Sequence, residues 1–174
     1  GPLAAVLVRA GLRFDGGALS AARLRLGRVH LLPVVAADRR WRTLIDLDAG
    51  TAEHVALLPS LLNLRALRRP GPETLTALLA QDHEHLEHLD LGGVEPNLGN
   101  AFRALTSLTM GHVRAPDLLR QPVWQRLQRL EVVGSDGEYA WIYHVEQWHD
   151  RLGEAPCLAT LILDLGPWRC TLSR

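Results

Sequence analysis

The sequence predicts an α/β fold in which short parallel strands stack side by side and helical segments return the chain between them. Three observations predict it. The pattern L-x-x-L-x-L recurs along the chain, glycine often follows its last apolar position, and a large side chain often stands three residues before its first leucine. A short strand that points its first, fourth and sixth residues inward cannot bury that edge alone, but stacked copies form one core.

Eight copies of the pattern align along the chain. The four strict copies begin at Leu86, Leu105, Leu127 and Leu158. The four looser copies begin at Leu3, Ala21, Leu44 and Leu64. Most intervals between starts are about 20 residues, a period that is typical of stacked repeats. In this alignment Leu89 and Leu108 are expected in one buried column.

The segments between the strands favour helices. GPETLTALLAQD places Pro72 in a first helical turn and its leucines on one face. TAEHVALLPSL is interpreted in the same way, with Thr51 as the N-cap. The long interval before Leu158 predicts a longer helical insertion over residues 136–156, where apolar side chains recur at helical spacing.

This pattern resembles the leucine-rich repeat family, in particular its irregular bacterial members, over nearly the whole chain. The resemblance implies a leucine-rich-repeat solenoid with a parallel concave sheet and short convex helices, built from about eight repeats in a single domain of residues 1–174. The chain departs from the family at the ninth position, where Asn or Cys is usual but Val94, Val113 and Ser135 stand in three of the copies. The alternative is a Leu-rich helical repeat array, although glycine-terminated L-x-L triplets suit strands better.

Composition excludes several classes of protein. The 19 basic residues, all arginine, balance 19 acidic ones, so no net field favours nucleic acid or an anionic membrane. No apolar run in the sequence reaches the roughly 18 residues that a membrane span needs. Cys157 and Cys170 are too few for a disulfide framework, which favours inert thiols and a cytoplasmic location. The opening Gly1-Pro2 resembles a protease scar, so we expect a segment of a larger protein.

The stretch DHEHLEHLD raises the question of a metal site, since His83, His85 and His88 lie among acidic residues. A zinc hydrolase of the H-E-x-x-H type needs both histidines on one helix face. Glu87 stands where the second histidine belongs, and His88 falls on the exposed sheet face. We therefore expect no metal, no other cofactor and no catalytic residue. The alternative is a metal-dependent hydrolase centred on residues 83–88.

Charged residues occupy the positions that point out of the predicted concave face. The fifth position of successive copies carries Arg25, Asp48, Arg68, Asp90 and, further along, Glu131. The third position adds Arg23, Asp46, His88 and Arg129. Adjacent parallel strands lie about 4.8 Å apart, so these side chains are expected to form a lateral ion-pair ladder in which Arg68 pairs with Asp48 or Asp90. A ladder of this kind can also simply neutralise a solvated face.

These observations favour a non-enzymatic protein-interaction module, a recognition or regulatory segment of a larger bacterial protein whose concave face binds a protein or peptide. The inference rests on fold-level analogy. A passive structural spacer is the remaining alternative. At the N-terminus Leu3, Val6 and Val8 begin at once, so an uncovered strand edge is expected there, which either self-associates with another copy or is covered by upstream residues of the larger protein.

Overall fold

The computed structural model describes residues 2–81, 83–92, 97–99, 101–111, 118, 120–134, 146, 148–149, 152–164, 166 and 169–174. Over these ranges the chain is a mixed α/β protein with nine strands and few helices. It divides into two compact units, unit 1 over Gly1–Leu86 and unit 2 over Glu87–Arg174. The single domain of about eight repeats stays a prediction.

Unit 1 contains four strands that pair with their neighbours in chain order. They are β1 (Arg13–Asp15), β2 (Ala18–Arg23), β3 (Asp46–Asp48) and β4 (Ala66–Arg68). β1 and β2 form an antiparallel hairpin, whereas β2, β3 and β4 run parallel. Gly16 and Gly17 connect the hairpin with φ values of 54° and 83°, the left-handed conformation that a tight two-residue loop requires.

The leucines predicted to point inward form the core around β3 and β4. Trp41, three residues before the copy that starts at Leu44, is also fully buried. The buried leucines of these two copies are Leu44, Leu47, Leu64 and Leu67. The inward-facing positions predicted for this part of the chain are therefore confirmed.

The register predicted for the second copy was wrong by two residues. In the parallel pairing of β2 with β3, Ala22 lies opposite Leu47. The copy therefore starts at Leu19 rather than at Ala21, and Leu26, expected inside, is 55% exposed. Because ALSAARLRL offers apolar residues in both registers, the choice depends on hydrogen bonding to β3.

The strand predicted over residues 3–8 is also wrong. Pro2–Val6 forms a short helix, α1, which buries Leu3 and Val6. The edge of β2 is paired with β1 and does not lie open. Self-association through the N-terminal end of the chain stays a prediction.

The described part of unit 2 contains five strands that pair in chain order. They are β5 (His88–Asp90), β6 (Ser107–Gly111), β7 (Arg129–Val133), β8 (Thr160–Asp164) and β9 (Arg169–Ser173). The first four run parallel, and β9 is antiparallel to β8. Leu89 lies opposite Leu108, Leu108 opposite Leu130, and Leu130 opposite Leu161, and all four are buried. The burial predicted for Leu89 and Leu108 is confirmed.

The return segments of unit 1 combine short helices with 3₁₀ turns. α2 spans Leu32–Val35, and α3, Pro72–Leu79, confirms the helix predicted from its leucine spacing. Val55–Ser60 forms a 3₁₀ segment where a helix was predicted, and Pro59 inside it lacks the backbone donor that an α-helix needs. Thr51 is a turn residue with a φ of 72° and not an N-cap.

The helix predicted over residues 136–156 lies mostly outside the described residues. Within them, Leu152–Glu154 is a 3₁₀ turn. Trp148 is buried, with its ring centroid 5.7 Å from that of Trp124. A tilted aromatic pair of this kind contributes to packing, so Trp148 belongs to the core of unit 2.

Candidate functional site

Two aspartates of β3 form the centre of a charged cluster on one face of the unit 1 sheet. Asp46 and Asp48 flank the core residue Leu47, and alternate residues of a strand point to opposite faces. Both carboxylates therefore lie on the face away from the leucine core. The two residues are nevertheless only 8% and 9% exposed. Removing a charge from water is costly unless it is paired, so the surrounding arginines are needed to hold the aspartates there.

Asp48 accepts hydrogen bonds from two arginines. Arg23 Nε donates to Oδ2 at 2.7 Å, and Arg69 Nη2 lies 2.7 Å from each carboxylate oxygen. The backbone N–H of Gly50 donates to Oδ1 at 3.1 Å. Burial by itself would raise the pKa of Asp48, but the hydrogen bonds from Arg69 and Arg23 outweigh it and hold the pKa below its ordinary value. Asp48 is therefore a carboxylate at neutral pH.

Arg69 makes this contact from a backbone conformation that favours glycine. Its φ is 51°, which costs a residue with a Cβ atom about 1–2 kcal/mol. The carbonyl of Arg69 accepts from the N–H of Thr51 at 2.6 Å. Together with the contact to Asp48, this bond holds the backbone of Arg69 in the left-handed region. The two contacts thus outweigh the preference of a non-glycine residue for negative φ values.

Asp46 is held by arginines from two other strands. Arg13 of β1 and Arg68 of β4 each donate from Nη2 to Asp46 Oδ2 at 2.9 Å. The second oxygen, Oδ1, is buried and has no hydrogen-bond partner within the described part of the chain. Leaving a buried acceptor unsatisfied costs free energy, so the two arginine contacts do not satisfy the Asp46 carboxylate in full.

An open pocket of about 390 Å³, which we name the arginine pocket, lies over the two carboxylates. The residues that define it are Arg13, Arg23, Arg68, Asp46, Asp48 and Ala21. The arginine side chains at its rim are between 49% and 71% exposed. The pocket thus has a buried acidic floor and a solvent-exposed cationic rim, an arrangement that can bind an anionic group by hydrogen bonds.

The structure brings together four of the five site residues predicted in unit 1, but with different partners. Arg68 was expected beside Asp48 or Asp90 and instead pairs with Asp46. Arg23 and Arg69 take the place beside Asp48. Arg25 is exposed and lies beyond the end of β2, because the corrected register puts Arg23 opposite Asp48.

The site residues predicted in unit 2 form a separate and smaller cluster. Glu131 accepts from Arg129 at 3.3 Å and from Arg169 at 3.1 Å, and Arg169 also reaches Asp164 at 3.2 Å. Two arginines thus face two acidic residues. Of the other two predicted residues, His88 is exposed, and Asp90 Oδ1 accepts from the N–H of Gly92 in the turn after β5.

Three arginines of these clusters were missed by the sequence analysis. Arg13 and Arg169 lie on the antiparallel strands β1 and β9, which the parallel repeat does not predict. Arg69 holds the sixth position of its copy, where the other copies carry an apolar residue. Two signals were present in the sequence, namely a charged residue at an apolar position and the Gly16-Gly17 hairpin turn that introduces β2.

The histidines first considered as metal ligands belong to both units. His83 and His85 line a second pocket of unit 1, about 320 Å³ in volume, together with Glu84 and leucines from residues 58–64. His88 belongs to β5 of unit 2. Among the residues that the structure describes, no group of three His, Cys, Asp or Glu side chains is placed to hold a metal ion.

A different histidine, His54, is buried. It is 1% exposed, its ring Nδ1 lies 3.0 Å from Ala52 O, and its Nε2 has no hydrogen-bond partner in the described ranges. Burial lowers the pKa of His54, and the hydrogen bond with Ala52 and the charge of Glu53 oppose that shift only in part. Glu53 accepts from the N–H groups of Glu73 and Thr74 in the first turn of α3. The pair thus belongs to the packing and capping of α3.

Other chain-wide features do not add chemistry to these clusters. Cys157 and Cys170 are free thiols. In the part of the chain that the structure describes, no helix has both the length and the apolar character needed to cross a membrane.

No protein-family model, curated protein or solved structure matches this chain.

Proposed function

We propose that this chain is a leucine-rich-repeat solenoid that acts as a non-enzymatic protein-interaction module, with the charged face of the unit 1 sheet as its binding surface. The buried first, fourth and sixth positions and the parallel register of Leu89, Leu108, Leu130 and Leu161 support the solenoid. Solenoids commonly bind partners on the sheet surface that their repeats create.

The observation that carries the proposal is the arginine pocket. Its carboxylates are buried and its guanidinium groups are half exposed. A buried ion-pair network contributes little net stability compared with apolar residues of similar volume, so stability alone is a poor reason to keep one. Arginine is also among the side chains enriched at protein interfaces and at their hot spots. Recognition of a partner accounts for both the buried carboxylates and the exposed guanidinium groups of the pocket.

A capture experiment with matched variants tests the proposal. The full chain, immobilised, is compared with the double variant Arg23→Gln/Arg68→Gln, and the retained proteins are identified and quantified by mass spectrometry. We expect at least one protein whose retention falls by about tenfold or more in the double variant, the loss expected when two charge-assisted contacts are removed. That protein is then purified and its affinity for both forms is measured by calorimetry.

The control variant is Arg40→Gln. It removes one arginine from unit 1 at an exposed ion pair with Asp38, away from the pocket. We expect it to retain the partner as the unmodified chain does. If every retained protein binds both variants and the unmodified chain equally, the chain is a passive spacer at this face and the proposal fails. Stoichiometric zinc in the purified protein, by elemental analysis, would instead favour the hydrolase alternative.

A further inference from the structure

We infer that the arginine pocket binds the carboxylate side chain of an acidic peptide segment, an Asp or Glu presented by an extended backbone. The inference rests on the proposed function, because it names the chemistry of the partner at the same surface. It is argued from the charge of the cluster, the hydrogen-bond donors that the cluster leaves unused, and the shape and acidity of its floor.

The charge of the cluster favours an anionic ligand. Four guanidinium groups, Arg13, Arg23, Arg68 and Arg69, surround the two carboxylates of Asp46 and Asp48. Among the described residues, the unit 2 cluster, in contrast, has two arginines and two acidic residues. Unit 1 also carries eleven of the chain's 19 arginines but only eight of its 19 acidic residues. An excess of positive charge at one face attracts anions and disfavours cations there.

The rim arginines keep donors available for a ligand. Arg23 uses Nε for Asp48, and its two terminal nitrogens make no hydrogen bond to any described residue. Arg13 and Arg68 each use one terminal nitrogen for Asp46. A guanidinium has five N–H donors in a planar fork that matches a carboxylate. Since the buried aspartates already orient these forks, a ligand binds without the cost of ordering them.

Small residues make room for the ligand. Ala21 lies opposite Asp46 in the pairing of β2 with β3, so the position that carries a charge in the neighbouring strand carries only a methyl group here. Gly11 packs against Arg23, where an added Cβ atom would lie 2.6 Å from the Cβ atom of that arginine. The resulting space of about 390 Å³ is large enough for a carboxylate side chain with its flanking backbone.

The acidic floor favours a peptide carboxylate over a free phosphate ion. The Asp48 carboxylate at the floor is negatively charged, so a compact dianion placed above it is repelled more than a monoanion. The pocket therefore matches a carboxylate better than a phosphate ion.

The test measures the binding of the full chain to fluorescently labelled hexaglutamate and hexaglutamine peptides by fluorescence anisotropy. The two peptides share backbone and length and differ in charge. We expect hexaglutamate to bind at least about tenfold more tightly, and Arg23→Gln to weaken it by about tenfold. Ala21→Leu should weaken it by a similar factor while every charge is kept, because the added side chain fills the pocket. Arg40→Gln should leave the affinity within about twofold.

Four results would overturn the inference. Equal binding of the two peptides would show that charge does not select the ligand. Loss of hexaglutamate binding in Arg40→Gln as large as in Arg23→Gln, with Ala21→Leu unaffected, would show diffuse attraction to unit 1 and no pocket. Displacement of hexaglutamate by inorganic phosphate or by a hexanucleotide at lower concentrations than by unlabelled hexaglutamate would assign the pocket to those anions. If hexaglutamate fails to bind while the capture experiment still finds a partner that depends on Arg23 and Arg68, the acidic-peptide inference fails and the interaction function stands.

Discussion

Arg69 donates from a single nitrogen, Nη2, to both carboxylate oxygens of Asp48, at 2.7 Å each. The contact joins β3 to the residue that follows β4, and Arg23 of β2 donates a hydrogen bond to the same carboxylate. Charge-assisted hydrogen bonds of this length to a buried carboxylate are stronger than those of exposed pairs. The relationship therefore predicts that Asp48 contributes to the stability of unit 1.

The substitution Asp48→Asn should lower the free energy of unfolding by about 1–3 kcal/mol, since it removes the charge that both guanidinium groups contact. Urea unfolding followed by circular dichroism measures the change. The control Asp38→Asn removes a carboxylate that pairs with Arg40 at the surface. It should have the smaller effect, and an equal effect of the two substitutions would contradict the burial argument.

The lowered pKa of Asp48 predicts a loss of stability in acid. A carboxyl group whose folded-state pKa lies below its unfolded value binds protons more readily in the unfolded chain, so its contribution is present above the unfolded pKa of about 4 and is lost as the pH falls through the folded value. Glu53, whose pKa is also lowered despite the opposing effect of burial, acts in the same direction. Urea unfolding between about pH 7 and pH 2 should show a shallower acid slope in Asp48→Asn than in the unmodified chain. Identical slopes would contradict this assignment.

His54 predicts a second pH dependence at higher pH. Burial lowers its pKa, so the unfolded chain takes up a proton first as the pH falls below about 6.5, and the folded state loses stability from that point down to the folded pKa. The variant His54→Gln should flatten the slope of unfolding free energy between about pH 7 and pH 5, whatever its effect on the absolute stability. His30→Gln changes an exposed histidine and should retain the slope. A slope that survives in His54→Gln would show that another group causes it.

Two glycine substitutions, one of them at the N-terminus of α3, are expected to differ in their effect on stability. A Cβ atom at Gly71 would collide with the carboxyl group of Glu53, which accepts hydrogen bonds from the first turn of α3. Gly71→Ala should therefore displace this cap and cost about 1 kcal/mol in unfolding free energy. At Gly27 an added Cβ atom meets nothing within 4 Å, so Gly27→Ala should be neutral or slightly stabilising. Thermal unfolding of the two variants checks the difference, and equal melting temperatures would refute it.

The leucine column predicts large effects in unit 2. Leu89→Ala or Leu108→Ala removes a fully buried side chain and should cost about 2–5 kcal/mol through lost burial and the cavity left behind. Leu62→Ala, at a leucine that is 60% exposed, is the matched control and should cost less than about 1 kcal/mol. Denaturant unfolding gives both values. A small effect at Leu89 and Leu108 would mean that the column is not part of the stabilising core.

The copies of the repeat from Leu44 onward were predictable because their leucines recur at one spacing and therefore share one buried face. From Leu44 onward, residues at the first, fourth and sixth positions recur at a spacing that places them together, and they are buried where the pattern is apolar. The outward direction of Asp46 and Asp48 followed from the same alternation along β3. Apolar side chains are stabilised by burial, so their spacing in the sequence is enough to predict which of them face the core.

The remaining features depended on contacts between segments. The register of β2 was ambiguous in ALSAARLRL and was decided by its pairing with β3, and residues 3–8 form a helix although their apolar spacing also fits a strand. A long, flexible arginine side chain can reach more than one carboxylate. The order of the strands therefore did not predict that Arg68 pairs with Asp46 and that Arg69 pairs with Asp48. The amino-acid sequence by itself determined which residues are buried in the strict copies and which face of β3 is charged. Only the tertiary structure decided which arginines surround each aspartate, because that choice depends on the register and on side chains from β1 and β4 that meet only in the folded chain.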